Sequence, residues 1–261
     1  MKTIPNNVSL IISILGILSI LIPFIVFYFV HKKTKASFKS LIVGGLVMFV
    51  FGFTIESLIH QLVFQTSIGK TIQSNILLYA LYGGFMAALF EETGRYLAFQ
   101  TILKKDLEND GNALGYGIGH GGIEMIMIYG FTMIGNLVMI NMINNGSITN
   151  IIAQTEELEP VIATLIETPA SYYLLGFMER ISAFLLQIAL SIFVWIAVKK
   201  KRFNYYLLAF LIHFVVDACV VLLVQNGMPL IVFEILLFIV SLGILWVSKK
   251  KWNEFELKGL Q

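Results

Sequence analysis

Long apolar runs alternate with short polar connections along the whole chain. Seven runs stand out, at about residues 8–30, 39–65, 75–103, 112–143, 170–198, 203–225 and 229–248. Each reaches the roughly 20 residues that a helix needs to cross the hydrocarbon core of a bilayer. Apolar positions are continuous within the runs and do not alternate with polar ones, which argues against barrel strands. Several runs exceed 25 residues, so they must tilt, break or project beyond the bilayer. The first is too long for the apolar part of a signal peptide, and no small-residue cleavage site follows it. The pattern predicts an all-α polytopic membrane protein with about seven transmembrane helices, forming a single integral membrane domain over residues 1–261.

Composition agrees. Apolar residues make up 57% of the 261 positions and charged residues 13%, with 21 Phe. A soluble domain carries about 25% charged residues, and a soluble chain this apolar would expose aggregating patches. Disorder is excluded on the same ground. Cys219 is the single cysteine, so no internal disulfide can form, and it reads as a small buried apolar residue. The net charge of +2 is uninformative, but the placement of charge is not. Lys32, Lys33, Lys35 and Lys39 follow the first run, and Lys104 and Lys105 follow the third. Lys199, Lys200, Lys201 and Arg202 follow the fifth, and Lys249, Lys250 and Lys251 the seventh. The opposite connections hold only Lys70 or nothing basic. By the positive-inside rule the N-terminus lies outside and the C-terminus in the cytoplasm. Residues of about 144–169 then form an external loop, with Glu156, Glu157, Glu159 and Glu167 among apolar residues, as in a short surface helix or a linker. Trp195, Trp246 and Trp252, near run ends, read as interfacial anchors.

The chemistry lies in ionisable residues placed where lipid is expected. Glu56, Glu91, Glu92, Arg95, Glu124, Glu179, Arg180, Asp217 and Glu234, with His60, His120 and His213, fall inside the runs. Unpaired, that set would cost roughly 20 kcal/mol or more, so its members must face one another or water inside the bundle. Glu91 and Arg95, His120 and Glu124, and His213 and Asp217 each stand four residues apart, on one face of their helix. Counted at about 1.5 Å per residue from the basic ends, the three pairs fall in one layer some 12–21 Å deep. They can therefore converge on one site about a motif-bearing core of residues 75–225. Glu56 and His60 lie further out on the second run, Glu234 stands alone on the seventh, and the adjacent Glu179 and Arg180 read as partners for other helices. The spacings Gly115–Gly119 and Gly117–Gly121, and the small residues Gly83, Gly84, Ala87 and Ala88, let backbones approach closely beside these pairs. Taken singly, each pair also has a simpler reading: an intrahelical salt bridge, an interhelical hydrogen bond or a polar latch.

Three motifs carry a resemblance. Glu91-Glu92-x-x-Arg95, the run Gly119-His120-Gly121-Gly122-Ile123-Glu124 and His213-x-x-x-Asp217 resemble those of the YhfC-type intramembrane metalloproteases. More distantly they are similar to the type II CAAX prenyl proteases and the PrsW-type site-1 proteases. The likeness covers about half the chain and departs from the PrsW pattern at His120, where Phe is expected, and at Arg95, where Lys is expected. It implies a bacterial, multi-pass cell-membrane endopeptidase whose partners are the bilayer and a membrane-embedded or lipidated peptide substrate, with no nucleic acid. Two chemistries are open. His120, His213 and Glu124 can bind zinc and leave a position for water. Alternatively, without a metal, Glu91 activates water and His213 stabilises the oxyanion, with Glu92, Arg95, Glu124 and Asp217 completing the site. No HExxH stretch occurs. Two non-proteolytic functions compete: a membrane scaffold or peptide-binding protein, and an ion-coupled transporter. No inverted repeat is visible, which counts against the transporter.

Overall fold

A computed structural model describes residues 3–148 and 158–257. Every regular element among them is helical. We number them α1 (Asn6–Thr34), α2 (Phe38–Phe64), α3 (Ser67–Ser74), α4 (Ile76–Gln100), α5 (Gly111–Asn144), α6 (Glu159–Glu167), α7 (Ala170–Lys199), α8 (Asn204–Gln225) and α9 (Leu230–Glu254). Six are long and apolar enough to cross a membrane, and a seventh span results if α3 and α4, bent by 112° at Asn75, count as one. The expected runs are thus reproduced to within a few residues. The connection between α5 and α7 carries α6; Glu156 and Glu157 lie outside the described residues.

Local chemistry sets the breaks. Ser37 caps α2 by accepting from Ser40 N, and Lys35 ends α1 in the left-handed conformation at φ 59. Asn75 is extended and its side chain accepts from Leu78 N, so one residue both stops α3 and starts α4. Two helices widen internally into π-helical turns, Met48–Glu56 in α2 and Ile126–Gly130 in α5.

Helix α5 is the inner post of the bundle, packed between α1, α2 and α7. Every residue from Gly111 to Gly122 is buried. Association in lipid is not driven by water, so close van der Waals approach and hydrogen bonds must hold the helices. The two glycine rows divide the work. Gly115 and Gly119 face α2, where a methyl group would strike Ser40 Oγ and Leu41 O, and Gly44 of α2 lies as close to Tyr116 O. Gly117 and Gly121 face α7, where a methyl would come within 2.8 Å of Ile188 Cα and 3.0 Å of Gln187 Cβ. Gly84 does the same for α4 against α8, at 2.6 Å from Phe214 O. Helix α7 is the most enclosed span, with 78% of its apolar window buried against 17–33% in the others. It packs on α5, α8 and α9.

At the basic end, Phe99 lies edge-on to both Tyr116 and Trp195, at 4.6 and 5.0 Å. Trp195 Nε1 donates to Asp110, which also pairs with Lys199 at 2.6 Å. Trp195 and Trp252 are therefore core residues and not interfacial anchors; Trp246 alone is exposed. Cys219, expected to be buried, is exposed on the outer face of α8.

Gly119→Ala is expected to cost about 1–3 kcal/mol, because its new methyl meets backbone that cannot step aside. Gly243→Ala, where nothing lies within 4 Å, is expected to be neutral. Thermal unfolding of the two variants in detergent checks this: equal midpoints would remove the crossing of α2 and α5 as a determinant of the fold.

Candidate active site

Helices α4, α5, α7 and α8 deliver the polar residues to one place inside the bundle. On α4, the consecutive Glu91 and Glu92 point differently. Glu92 is fully buried and accepts two hydrogen bonds from Arg95 Nη1, both at 3.0 Å. The intrahelical bridge thus joins residues three apart, not the Glu91–Arg95 pair that the four-residue spacing suggested. Glu92 also accepts from His213 Nδ1 at 2.8 Å. The second Arg95 nitrogen donates to Gln187 Oε1 on α7.

Glu91 stands in front of this pair, at the wall of a cavity of about 380 Å³. Its Oε2 receives His120 Nε2 and Gln187 Nε2, each at 2.9 Å. With Nε2 as donor, Nδ1 of His120 is the acceptor nitrogen and is buried without a hydrogen-bond partner. His213 Nε2 lies 3.8 Å from Glu91 Oε2 and 3.4 Å from Asp217 Oδ2. The first distance is too long for a hydrogen bond.

Glu124 joins through others. Its Oε2 accepts from Gln187 Nε2 at 3.1 Å and its Oε1 from Arg180 at 3.2 Å. Arg180 also pairs with the adjacent Glu179, so these neighbours bond each other as well as α5. Gln187 is the residue that sequence reasoning missed. The only signal was an amide inside an otherwise apolar stretch of α7, two turns beyond Arg180 on the same face. Glu56 and His60, expected outside the site, line the cavity's far wall instead. They bond each other at 3.1 Å, and His60 Nδ1 meets Tyr82 Oη at 3.0 Å. Both π-helical segments contribute to the lining, through Met48, Gly52, Phe53, Glu56 and Ile128. Wide turns of this kind often occur at functional sites. Glu234 is buried but does not line the cavity.

The family model described as "YhfC intramembrane metalloprotease" matches residues 18–251. The chain is 33% identical over 247 residues to the Bacillus subtilis (strain 168) protein titled "Uncharacterized membrane protein YhfC", covering 92% of this chain and 95% of that one. No solved structure matches. The chain belongs to the YhfC intramembrane metalloprotease family and is a multi-pass membrane protein.

The family description implies a metal. The donors do not fit one as they stand, because no three His, Cys, Asp or Glu among the described residues are grouped to hold an ion. Of the trio His120, His213 and Glu124, His120 Nε2 is engaged by Glu91 and His213 Nδ1 by Glu92, while Glu124 turns to Gln187 and Arg180.

Removing one partner of a buried ion pair leaves an uncompensated charge and costs about 3–5 kcal/mol. Arg95→Met is expected to lower the thermal midpoint strongly, and Glu92→Gln combined with Arg95→Met to recover part of the loss. A double variant no more stable than Arg95→Met would show that the pair is not what Arg95 supplies.

Proposed function

We propose that the chain is an intramembrane endopeptidase that hydrolyses a peptide bond of a membrane-embedded or lipidated substrate. The observation that carries this reading is the position of Glu91: at a cavity wall inside the bundle, one oxygen held by His120 and Gln187, with His213 Nε2 just beyond hydrogen-bond reach. A cavity of this size holds a short stretch of peptide.

In this reading Glu91 takes a proton from water as the water oxygen attacks the substrate carbonyl. His213, carrying both ring protons, gives Nδ1–H to Glu92 and offers Nε2–H to the oxygen on which negative charge collects. Glu92 and Asp217 balance that imidazolium. The proton on Glu91 then passes to the amide nitrogen, the C–N bond breaks, and a new carboxyl end and a new amine leave. Arg95 acts behind the reacting groups, holding Glu92 in place. The sequence needs no metal, in keeping with the way the imidazoles are engaged.

Glu91→Gln keeps the shape of the side chain but cannot take the proton, so cleavage is expected to fall by about 10²–10⁴-fold. Paired membrane proteomes and peptidomes of cells making equal amounts of wild type and variant check this. Membrane-derived fragments seen only with the wild type identify substrates, and identical profiles would sink the protease reading.

With a substrate in hand, the purified protein is expected to retain most of its activity after dialysis against a chelator. Loss of activity that added zinc restores would replace the metal-free route with a metal-dependent one.

A further inference from the structure

Glu91 has two oxygens, and the protein treats them differently. Oε2 takes both hydrogen bonds that reach this carboxylate, from His120 Nε2 and Gln187 Nε2. Among the described residues no donor reaches Oε1. A carboxylate with free χ3 rotation would present either oxygen to water, and each exchange would move the base relative to His213. A donor on one side alone does not fix the plane of the group, whereas two donors on the same oxygen, from different helices, define it.

Gln187 is built for that task. Its own amide cannot flip without loss, because Oε1 accepts from Arg95 Nη2 while Nε2 donates to both Glu91 and Glu124. Reversing it would set NH2 against guanidinium and C=O against two carboxylates. The anchor of the amide is in turn anchored, since Arg95 is clamped by both oxygens of Glu92. Gln187 is buried, yet it lines the cavity beside Glu91. No part of the motif resemblance includes it.

We infer that Gln187 is a positioning residue that, with His120, ties Oε2 of Glu91 and leaves Oε1 as the atom that accepts the proton from water. The inference rests on the reading of Glu91 as the base. It adds that the side-chain amide of α7, outside the three motifs, decides which oxygen reacts. Gln187 bonds Glu91 and Arg95 of α4 and Glu124 of α5; Glu92 and His120 stand behind them, and Glu56 and His60 of α2, His213 and Asp217 of α8, and Glu179 and Arg180 of its own helix line the same cavity.

Two variants test it in full-length protein reconstituted in liposomes. Gln187→Met keeps length and volume but has no donor. Gln187→Glu keeps an acceptor for Arg95, and regains a donor only when its carboxyl is protonated. On a quenched fluorescent peptide that reproduces a cleavage site found by the Glu91→Gln comparison, Gln187→Met is expected to lower kcat by about 10²-fold, the scale of a displaced catalytic group. KM should stay within about twofold, since the amide does not bind substrate. Gln187→Glu is expected to be as slow at pH 8 and to recover toward wild type at pH 5.5, while Gln187→Met does not. A role in filling space alone predicts that Gln187→Met keeps its kcat and that neither variant gains a new pH dependence; that outcome overturns the inference while leaving Glu91 as base.

A second readout needs no proteolysis. Dicyclohexylcarbodiimide, an apolar carboxyl reagent, should label Glu91 several-fold faster in Gln187→Met than in wild type, as mapped by peptide mass spectrometry. Equal labelling rates in both variants and wild type would overturn the clamp even if no substrate is found. Absence of cleavage by wild type together with accelerated labelling would remove the protease reading and keep the positioning of Glu91.

Discussion

A guanidinium sealed inside a membrane bundle needs acceptors, and Arg95 finds them for both Nη nitrogens in Glu92 and Gln187, leaving only its Nε without one. Much of the polar interior follows from that requirement. Glu92 is drawn back into the helix packing and becomes a fixed acceptor for His213. Gln187 is oriented with its amide nitrogen toward Glu91 and Glu124, and Glu124 in turn receives Arg180. The pair contributes little as a source of stability, since desolvation offsets most of the attraction in a buried ion pair. Its effect is directional: one charge contact, placed behind the cavity, aligns side chains from α4, α7 and α8.

This gives the interior two layers. The rear layer, Glu92, Arg95 and His120, is fully enclosed and each member has a protein partner. The front layer, Glu91, His213, Asp217, Glu124 and Gln187, lines the cavity. Substitutions behind should therefore be felt first as stability, and substitutions in front as chemistry. The Gly117 and Gly121 row of α5 brings the backbone of α7 close, which lets Gln187 and Arg180 reach Glu124.

The spans were legible because apolar length alone specifies them, and the bend at Asn75 shifted only the start of α4. The convergence of Glu91, His120, His213 and Asp217 was legible because buried ionisable groups must find one another and the four-residue spacing fixes their faces. Which carboxylate takes Arg95 was not, since spacings of three and four are both neighbours on a helix and rotamers decide between them. Gln187 was hidden because an amide carries no charge penalty to advertise it. Glu56 and His60 read as lying further out than the three pairs, and nothing in the sequence signals that a cavity extends as far as they do. Trp195 and Trp252 show the converse error, a residue type taken for an address when hydrogen bonding or packing had already drawn it inside.

The widened turns of Met48–Glu56 have a consequence for how chains of this kind can vary in length. An α-helix rotates by about 100° for each residue, so a single insertion or deletion normally turns everything beyond it to a new face. A π-helical stretch holds residues that a tighter coil could shed or absorb. Loss of one residue there, with relaxation to ordinary α-helix, would keep Ser57–Phe64 on nearly the same bearing toward α4. The same loss a few positions earlier, in Phe38–Val47, would swing Gly44 away from α5 and dismantle the crossing. Gaps between related chains are thus tolerable on one side of Met48 and ruinous on the other.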